Sequence, residues 1–194
     1  MTRPSGAAQP RRVFLALWPD EGDRSALAAA SAAAASACGG RAVPPKNFHV
    51  TLAFLGAVAG ARLPELASLA GGVAAGYAVA PPPLCFARFE FWRKAGVLAL
   101  VSDADPPEVV ALAGALRAAT LAAGFTPDLK PFRAHVTVAR KVRGGHAAAL
   151  PFAPVSFLCR ELALVESTMH AGAPLYSVLD SRPLGKAEKL RRPR

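Results

Sequence analysis

The sequence predicts an α+β domain built from two related halves, and three observations carry that prediction. A six-residue phrase occurs twice, as His49-Val50-Thr51-Leu52-Ala53-Phe54 and as His135-Val136-Thr137-Val138-Ala139-Arg140, 86 positions apart. Both copies are apolar and β-branched at alternate positions, which suits a strand. Strand-like and helix-like segments succeed one another as βα-β-α-ββ-α-β-ββ, without the strict alternation of a doubly wound parallel sheet. A repeat of this length points to a duplicated half-domain with a pseudo-two-fold axis rather than to a solenoid.

Arg11 to Trp18 reads as a first strand entering a core. Pro19-Asp20 closes it, and Asp20 is placed to cap an alanine-rich helix over Arg24–Ala37 that stops at Gly39-Gly40. Pro44-Pro45 sets up an extended entry to the first motif strand, which ends at Gly56, and a helix follows over Leu63–Tyr77. Beyond a Pro81-Pro82-Pro83 connector come strands at Leu84–Phe91 and Gly96–Val101, with Trp92-Arg93-Lys94 as the turn between them. Asp105-Pro106-Pro107-Glu108 has the signature of a helix start, with Asp105 as cap, and Gly124 is the stop. Pro131-Phe132-Arg133 leads into the second motif strand, which runs to Arg140. A loop over 143–149 and short strands at Val155–Leu158, Glu161–Thr168 and Leu175–Asp180 complete the order. The expected division is a basic flexible tail at 1–11, one two-lobed domain at 12–184 and a second basic tail at 185–194.

With 194 residues the chain is long enough to bury a core. Its apolar stretches break well before the ~20 residues that a membrane span needs, and no secretory signal is legible at the start. Cys38, Cys85 and Cys159 are odd in number and far apart, with no CxxC pair. Neither a disulfide frame nor a zinc knuckle is indicated, and a cytoplasmic, monomeric protein with reduced thiols is expected. The net charge is +10, and most of it sits in the tails: Arg3, Arg11 and Arg12 at one end, and five basic residues against Glu188 after residue 184. Such tails attract nucleic acid without reading its sequence, or serve only solubility.

Side chains alternate along a strand, so His49 and Thr51 share one face, with Val50, Leu52 and Phe54 expected on the other; His135 and Thr137 pair likewise. Two imidazoles supply a general base and a general acid near neutrality, which suits in-line displacement at phosphorus. A hydroxyl beside each can donate to the charge that develops on the non-bridging oxygens. Arg140 adds a cation if the strand bends or bulges, because five residues after His135 a regular strand points away. Each feature also has a plainer reading. Threonine is a good strand former, Arg140 can be a solvated surface residue, and two histidines are too few for a usual zinc site. His146 and His170, in predicted loops without matched partners, are expected to be exposed. A cysteine nucleophile has no histidine beside it in sequence, and the glycine pairs lack the spacing of a phosphate loop. Phe14, Phe48 and Phe132 are candidates to stack on a base.

These pieces resemble the two-histidine (2H) phosphoesterases. Within that superfamily they are similar to the RNA 2′,3′-cyclic phosphodiesterases once described as 2′–5′ RNA ligases. The likeness rests on RVFLALWP at 12–19, NFHVTLAFLG at 47–56, PFRAHVTVAR at 131–140, and LVEST followed by PLYSVL, in that order. It implies a bilobal, pseudo-symmetric α+β fold, with two antiparallel sheets forming a central cleft and helices outside. It implies hydrolysis of an RNA or nucleoside 2′,3′-cyclic phosphate to a 2′-phosphomonoester, without metal or other cofactor. His49 would be the proton donor and His135 the proton acceptor, with Thr51, Thr137 and Arg140 binding the phosphate. The partners implied are RNA ends or nucleotides carrying a cyclic phosphate. Ligation of such an end is the same chemistry in reverse and remains an alternative, as does an RNA- or nucleotide-binding module without turnover.

Overall fold

The computed structural model describes residues 9–77, 81–144, 146–150, 152–170 and 172–185. The charged segments 1–8 and 186–194, which hold most of the two expected tails, lie outside the described residues. The elements run β1 (Arg11–Leu17), α1 (Glu21–Ala37), β2 (Arg41–Ala42), β3 (Val50–Val58), α2 (Leu63–Ala75), β4 (Leu84–Trp92), β5 (Val97–Ser102), α3 (Pro107–Ala122), β6 (His135–Arg140), β7 (Val155–Phe157), β8 (Glu161–His170) and β9 (Ala173–Pro183).

Two antiparallel sheets form. One has the order β3-β1-β8-β9, the other β2-β6-β5-β4-β7. Apart from the short β2, the strand roles match across the pseudo-two-fold: β3 answers β6, β1 answers β5, β8 answers β4 and β9 answers β7. In each half a helix joins the motif strand to its neighbour, α1 between β1 and β3 and α3 between β5 and β6. Each of these helices packs on the other lobe's sheet: α1 against β2, β6 and β7, and α3 against β3. The lobes are thereby locked through a shared core that includes Leu15 and Leu52 of one sheet and Leu98, Leu100, Val136 and Val138 of the other.

Each sheet also has a small apolar patch on its opposite face. Phe14, Ala16, Ala163 and Val165 form one, and Val97, Ala99 and Val101 form the other. Trp18, Phe54 and Tyr176 pack on the first patch and Trp92 on the second.

Local signals mostly act as read. Asp20 caps α1 by accepting from the Asp23 backbone N–H at 2.9 Å. Asp105 does not cap α3. Its carboxylate accepts the Ala134 backbone N–H at 3.0 Å instead, and Pro106 takes the cap position with no side-chain bond. A long-range partner outcompetes the local one there, and it fixes the segment just before His135. Trp92 belongs to β4, paired with Val97, rather than to the turn. His170 is the last residue of β8, and it is exposed. His146 is exposed too, but its Nε2 bonds the Ala37 carbonyl at 2.8 Å. That places an imidazole at the C-terminal end of a helix whose last turn holds no basic residue, where carbonyls need partners.

Candidate active site

The first motif copy enters from a 3-10 turn at Pro45–Asn47. The second enters from the irregular 131–134 segment. Both copies then make the same local bond. His49 Nδ1 lies 2.7 Å from the Asn47 carbonyl oxygen, and His135 Nδ1 lies 2.8 Å from the Arg133 carbonyl oxygen. A carbonyl can only accept, so Nδ1 carries the proton in each ring and Nε2 is left with a free lone pair. The two residues that supply these carbonyls are themselves tethered by their side chains. Asn47 Nδ2 donates to the Pro174 carbonyl at 3.0 Å, and Arg133 grips Glu90.

Both motif strands carry a β-bulge at the same place. In β3, Thr51 pairs with Ala16 and Ala53 with Leu15, so Leu52 is an extra residue. In β6, Thr137 pairs with Ala99 and Ala139 with Leu98, so Val138 is extra. A bulge resets the alternation. His135, Thr137 and Arg140 are therefore the half-buried positions of β6, while Val136, Val138 and Ala139 are buried. Arg140 reaches the cleft for this reason. The same shift puts Phe54 on the face of His49 and Thr51, which corrects the expectation that it faces the core. Phe54 is thus the counterpart of Arg140, and the Arg12 guanidinium lies 4.6 Å from its ring centroid.

A hollow of about 800 Å³ holds His49, Thr51 and Arg140, with Arg12 and Lys141 on its margin. It shares Thr51, Phe54, Asp128 and Lys130 with an adjoining hollow that holds His135, Trp92, Phe132 and Arg133. The volume is in the range of small-molecule sites. Arg140 Nε is buried with no hydrogen-bond partner among the described residues. Such an orphaned donor costs about 1–3 kcal/mol, and an anionic oxygen would satisfy it. Thr137 lies beside His135 on the same face but does not itself line either hollow.

The aromatic candidates separate. Phe14 packs against the His49 ring, 4.7 Å between centroids, and Phe132 lines the cleft. Phe48 does neither: it is 3% exposed in the main core and offers no face to a base. It precedes His49 by one residue and so points the opposite way.

The family described as LigT like Phosphoesterase matches residues 17–98, which includes the first motif. Among solved structures, Escherichia coli LigT complexed with 3′-AMP is 26% identical, covering 92% of this chain and all of that one, with a TM-score of 0.76. The protein TT0787 of Thermus thermophilus is 28% identical over 90% of this chain and 99% of that one, with a TM-score of 0.69. The MHV ns2 PDE domain shares the fold alone, at 14% identity over 81% of this chain and 99% of that one, with a TM-score of 0.57. No curated protein matches in sequence.

The family match and these likenesses support membership of the two-histidine phosphoesterase superfamily. They support phosphoester chemistry in general, whether hydrolytic or ligase-like. Burial and nearby cations disfavour the charged form of both imidazoles. Burial pushes His49 down to about 4, and the nearby His135, Arg140 and Arg24 add to that effect against the raising influence of the Asn47 carbonyl. The His49 ring nevertheless keeps part of its surface open to the cleft. His135 is also lowered, mainly by burial, with Arg133 and Arg140 contributing. The two rings differ in their surroundings. His49 is boxed by Phe14, Trp18 and Tyr176, whereas His135 touches the edge of Trp92 at 4.6 Å. Cys38 and Cys159 are buried, and burial pushes the Cys159 thiol up to about 12; none of the three cysteines lines the cleft.

Sequence reasoning missed Trp92, Tyr176 and Phe54 as cleft residues. Phe54 was findable, because it occupies the position of Arg140 in the repeat. Trp92 and Tyr176 come from strands with no repeat signal, and only the sheet order brings them in. No helix among the described residues is long and apolar enough to cross a membrane.

Proposed function

We propose that the protein hydrolyses 2′,3′-cyclic phosphates at RNA ends or on nucleotides to 2′-phosphomonoesters. The observation that carries this reading is the matched pair of imidazoles. Each is locked by an Nδ1–H to the carbonyl two residues earlier, and each leaves Nε2 bare, His49 in one hollow and His135 in the adjoining one. Water attacks phosphorus in line with the 3′ oxygen. His135 Nε2 takes the proton from water as the new P–O bond forms. The P–O3′ bond breaks, and His49 Nε2 gives its proton to the departing 3′ oxygen. Thr51 and Thr137 donate to the non-bridging oxygens, where charge builds up, and the unpartnered Arg140 Nε–H adds a charge-assisted bond. His49 must be protonated to act as the acid, yet the empty cleft disfavours that form. The substrate's negative charge offsets the repulsion from Arg140 and draws the proton in, since an opposite charge nearby favours the charged form. Phe54, Tyr176 and Phe132 offer aromatic faces to a base beside the phosphate.

The test is turnover of a 2′,3′-cyclic nucleotide in the presence of EDTA, with the product isomer identified. A 2′-phosphate is expected, and each of His49→Ala and His135→Ala should lose roughly 10²–10⁴-fold in rate, the usual range for a positioned acid or base. A substrate with a better 3′ leaving group should rescue His49→Ala selectively. No turnover by the wild type, or full turnover by both variants, would overturn the reading; rescue of His135→Ala instead would reverse the two roles.

A further inference from the structure

On the cleft face of the second sheet, three rows cross from β4 through β5 to β6. They are Arg88–Val101–His135, Glu90–Ala99–Thr137 and Trp92–Val97–Arg140. The middle residues are small and apolar, so the long side chains of β4 can lean across them toward the histidine. Glu90 is the hub of this face. Its carboxylate accepts from Trp92 Nε1 at 3.0 Å, from Arg133 Nη1 and Nη2 at 2.8 and 2.5 Å, and from Arg88 Nε at 3.2 Å. Burial alone would raise the Glu90 carboxyl, but the bonds from Trp92, Arg133 and Arg88 outweigh it and hold the group below the usual range. It is therefore an anion at neutral pH.

Two of its three partners lead to the same imidazole. The Trp92 ring meets the His135 ring edge-on at 4.6 Å. The Arg133 carbonyl receives the His135 Nδ1–H at 2.8 Å. Arg133 lies outside any strand, so no ladder hydrogen bond holds it. Its side chain on Glu90, and the Asp105 carboxylate on the next N–H, are what fix that carbonyl. An exposed ion pair would ordinarily be worth little. Here one carboxylate supports both the contact on one side of the ring and, together with Asp105, the acceptor that selects its tautomer.

We propose that Glu90 is a positioning residue for His135, holding the ring through Trp92 and through the Arg133 carbonyl so that Nε2 faces the cleft as a base. The proposal rests on the reading of His135 as the proton acceptor. Nothing described in the first copy has this form: Asn47 is tied to a backbone carbonyl, and His49 sits in an aromatic box. The two histidines are therefore held by different means, and removing Glu90 should affect only one.

The experiment compares wild type, Glu90→Ala and Glu90→Gln by steady-state kinetics on a 2′,3′-cyclic nucleotide and by ¹⁵N NMR of the histidine rings. Glu90→Ala is expected to lower kcat by roughly 10–100-fold, the scale of a mispositioned catalytic group, with KM little changed. The His135 ring signals should move from a single Nδ1–H tautomer toward a mixture, while those of His49 stay in place. Glu90→Gln keeps its shape and one acceptor oxygen, so it should fold and fall between the two. The proposal is overturned if the His135 signals of the folded variants match wild type, or if those of His49 move equally. If the wild type fails to turn over the nucleotide, the catalytic reading fails, yet the ring signals still report whether Glu90 sets the His135 tautomer.

Discussion

At the scale of single residues, the distinctive feature is a histidine whose Nδ1–H is used up by its own chain two residues back. The bond itself is local in both copies, while different long-range contacts, Asn47 on the Pro174 carbonyl and Arg133 on Glu90, hold the two acceptor carbonyls. Its energetic consequence is a pH dependence of stability. The His49 pKa falls from 6.5 to about 4 on folding. Between those values the unfolded chain binds the proton and the folded one does not, so the unfolded state gains as the solution is acidified. Stability should therefore decline as pH drops from about 6.5 toward 4, and His135, lowered in the same direction, adds to the slope. Thermal melts across roughly pH 4–7 should show this decline, and His49→Gln should flatten it. A slope unchanged in that variant would place the titration elsewhere.

At the scale of elements, the two bulges decide which side chains enter the cleft. Without the extra residue at Val138, Arg140 would point into the core face of its sheet. The end of β6 is also held by β2, through the pairs Arg41–Arg140 and Ala42–Ala139. Gly40 makes that approach possible: a Cβ there would lie 2.7 Å from the Arg140 carbonyl oxygen and 2.8 Å from Val142 Cγ2. Backbone cannot yield cheaply, so Gly40→Ala should push the end of β6 away, destabilise by about 1–3 kcal/mol as other overpacked sites do, and raise KM for a cyclic nucleotide through displaced Arg140. Melting temperature and KM read the two effects separately. Gly39→Ala meets open space and is strained only by its positive φ of 63°, so it should cost roughly 1 kcal/mol and leave KM alone. An equal effect of both substitutions on KM would separate Arg140 from the β2 contact.

At the scale of the whole molecule, the crossed helices tie two lobes into one core, while the charge lies at the chain ends. The tails at 1–10 and 185–194 should be dispensable for turnover of a small cyclic nucleotide but strengthen binding to longer RNA. Backbone phosphate contacts are electrostatic and weaken with salt. Truncating both tails should lower RNA affinity and flatten its salt dependence, measured by titration at several ionic strengths. Unchanged affinity and slope would leave the tails as solubility elements.

By itself the sequence determined the α+β class, the duplication, the motif strands and the four matched His and Thr positions. Alternation, caps and repeats are local or self-similar signals, and a single chain displays them. The tertiary structure decided what depends on register and on which strands become neighbours. Phe48 went to the core and Phe54 to the cleft, because one residue of offset or one bulge inverts a side chain. Asp105 left its helix for Ala134, and Trp92 and Glu90 came to rest beside His135, because β4 packs two strands away from β6. Those contacts join residues far apart in the chain, 29 positions for Asp105 with Ala134 and 43 for Glu90 with Arg133, with no repeat to announce them. Only the order of strands in the folded sheet brings them together.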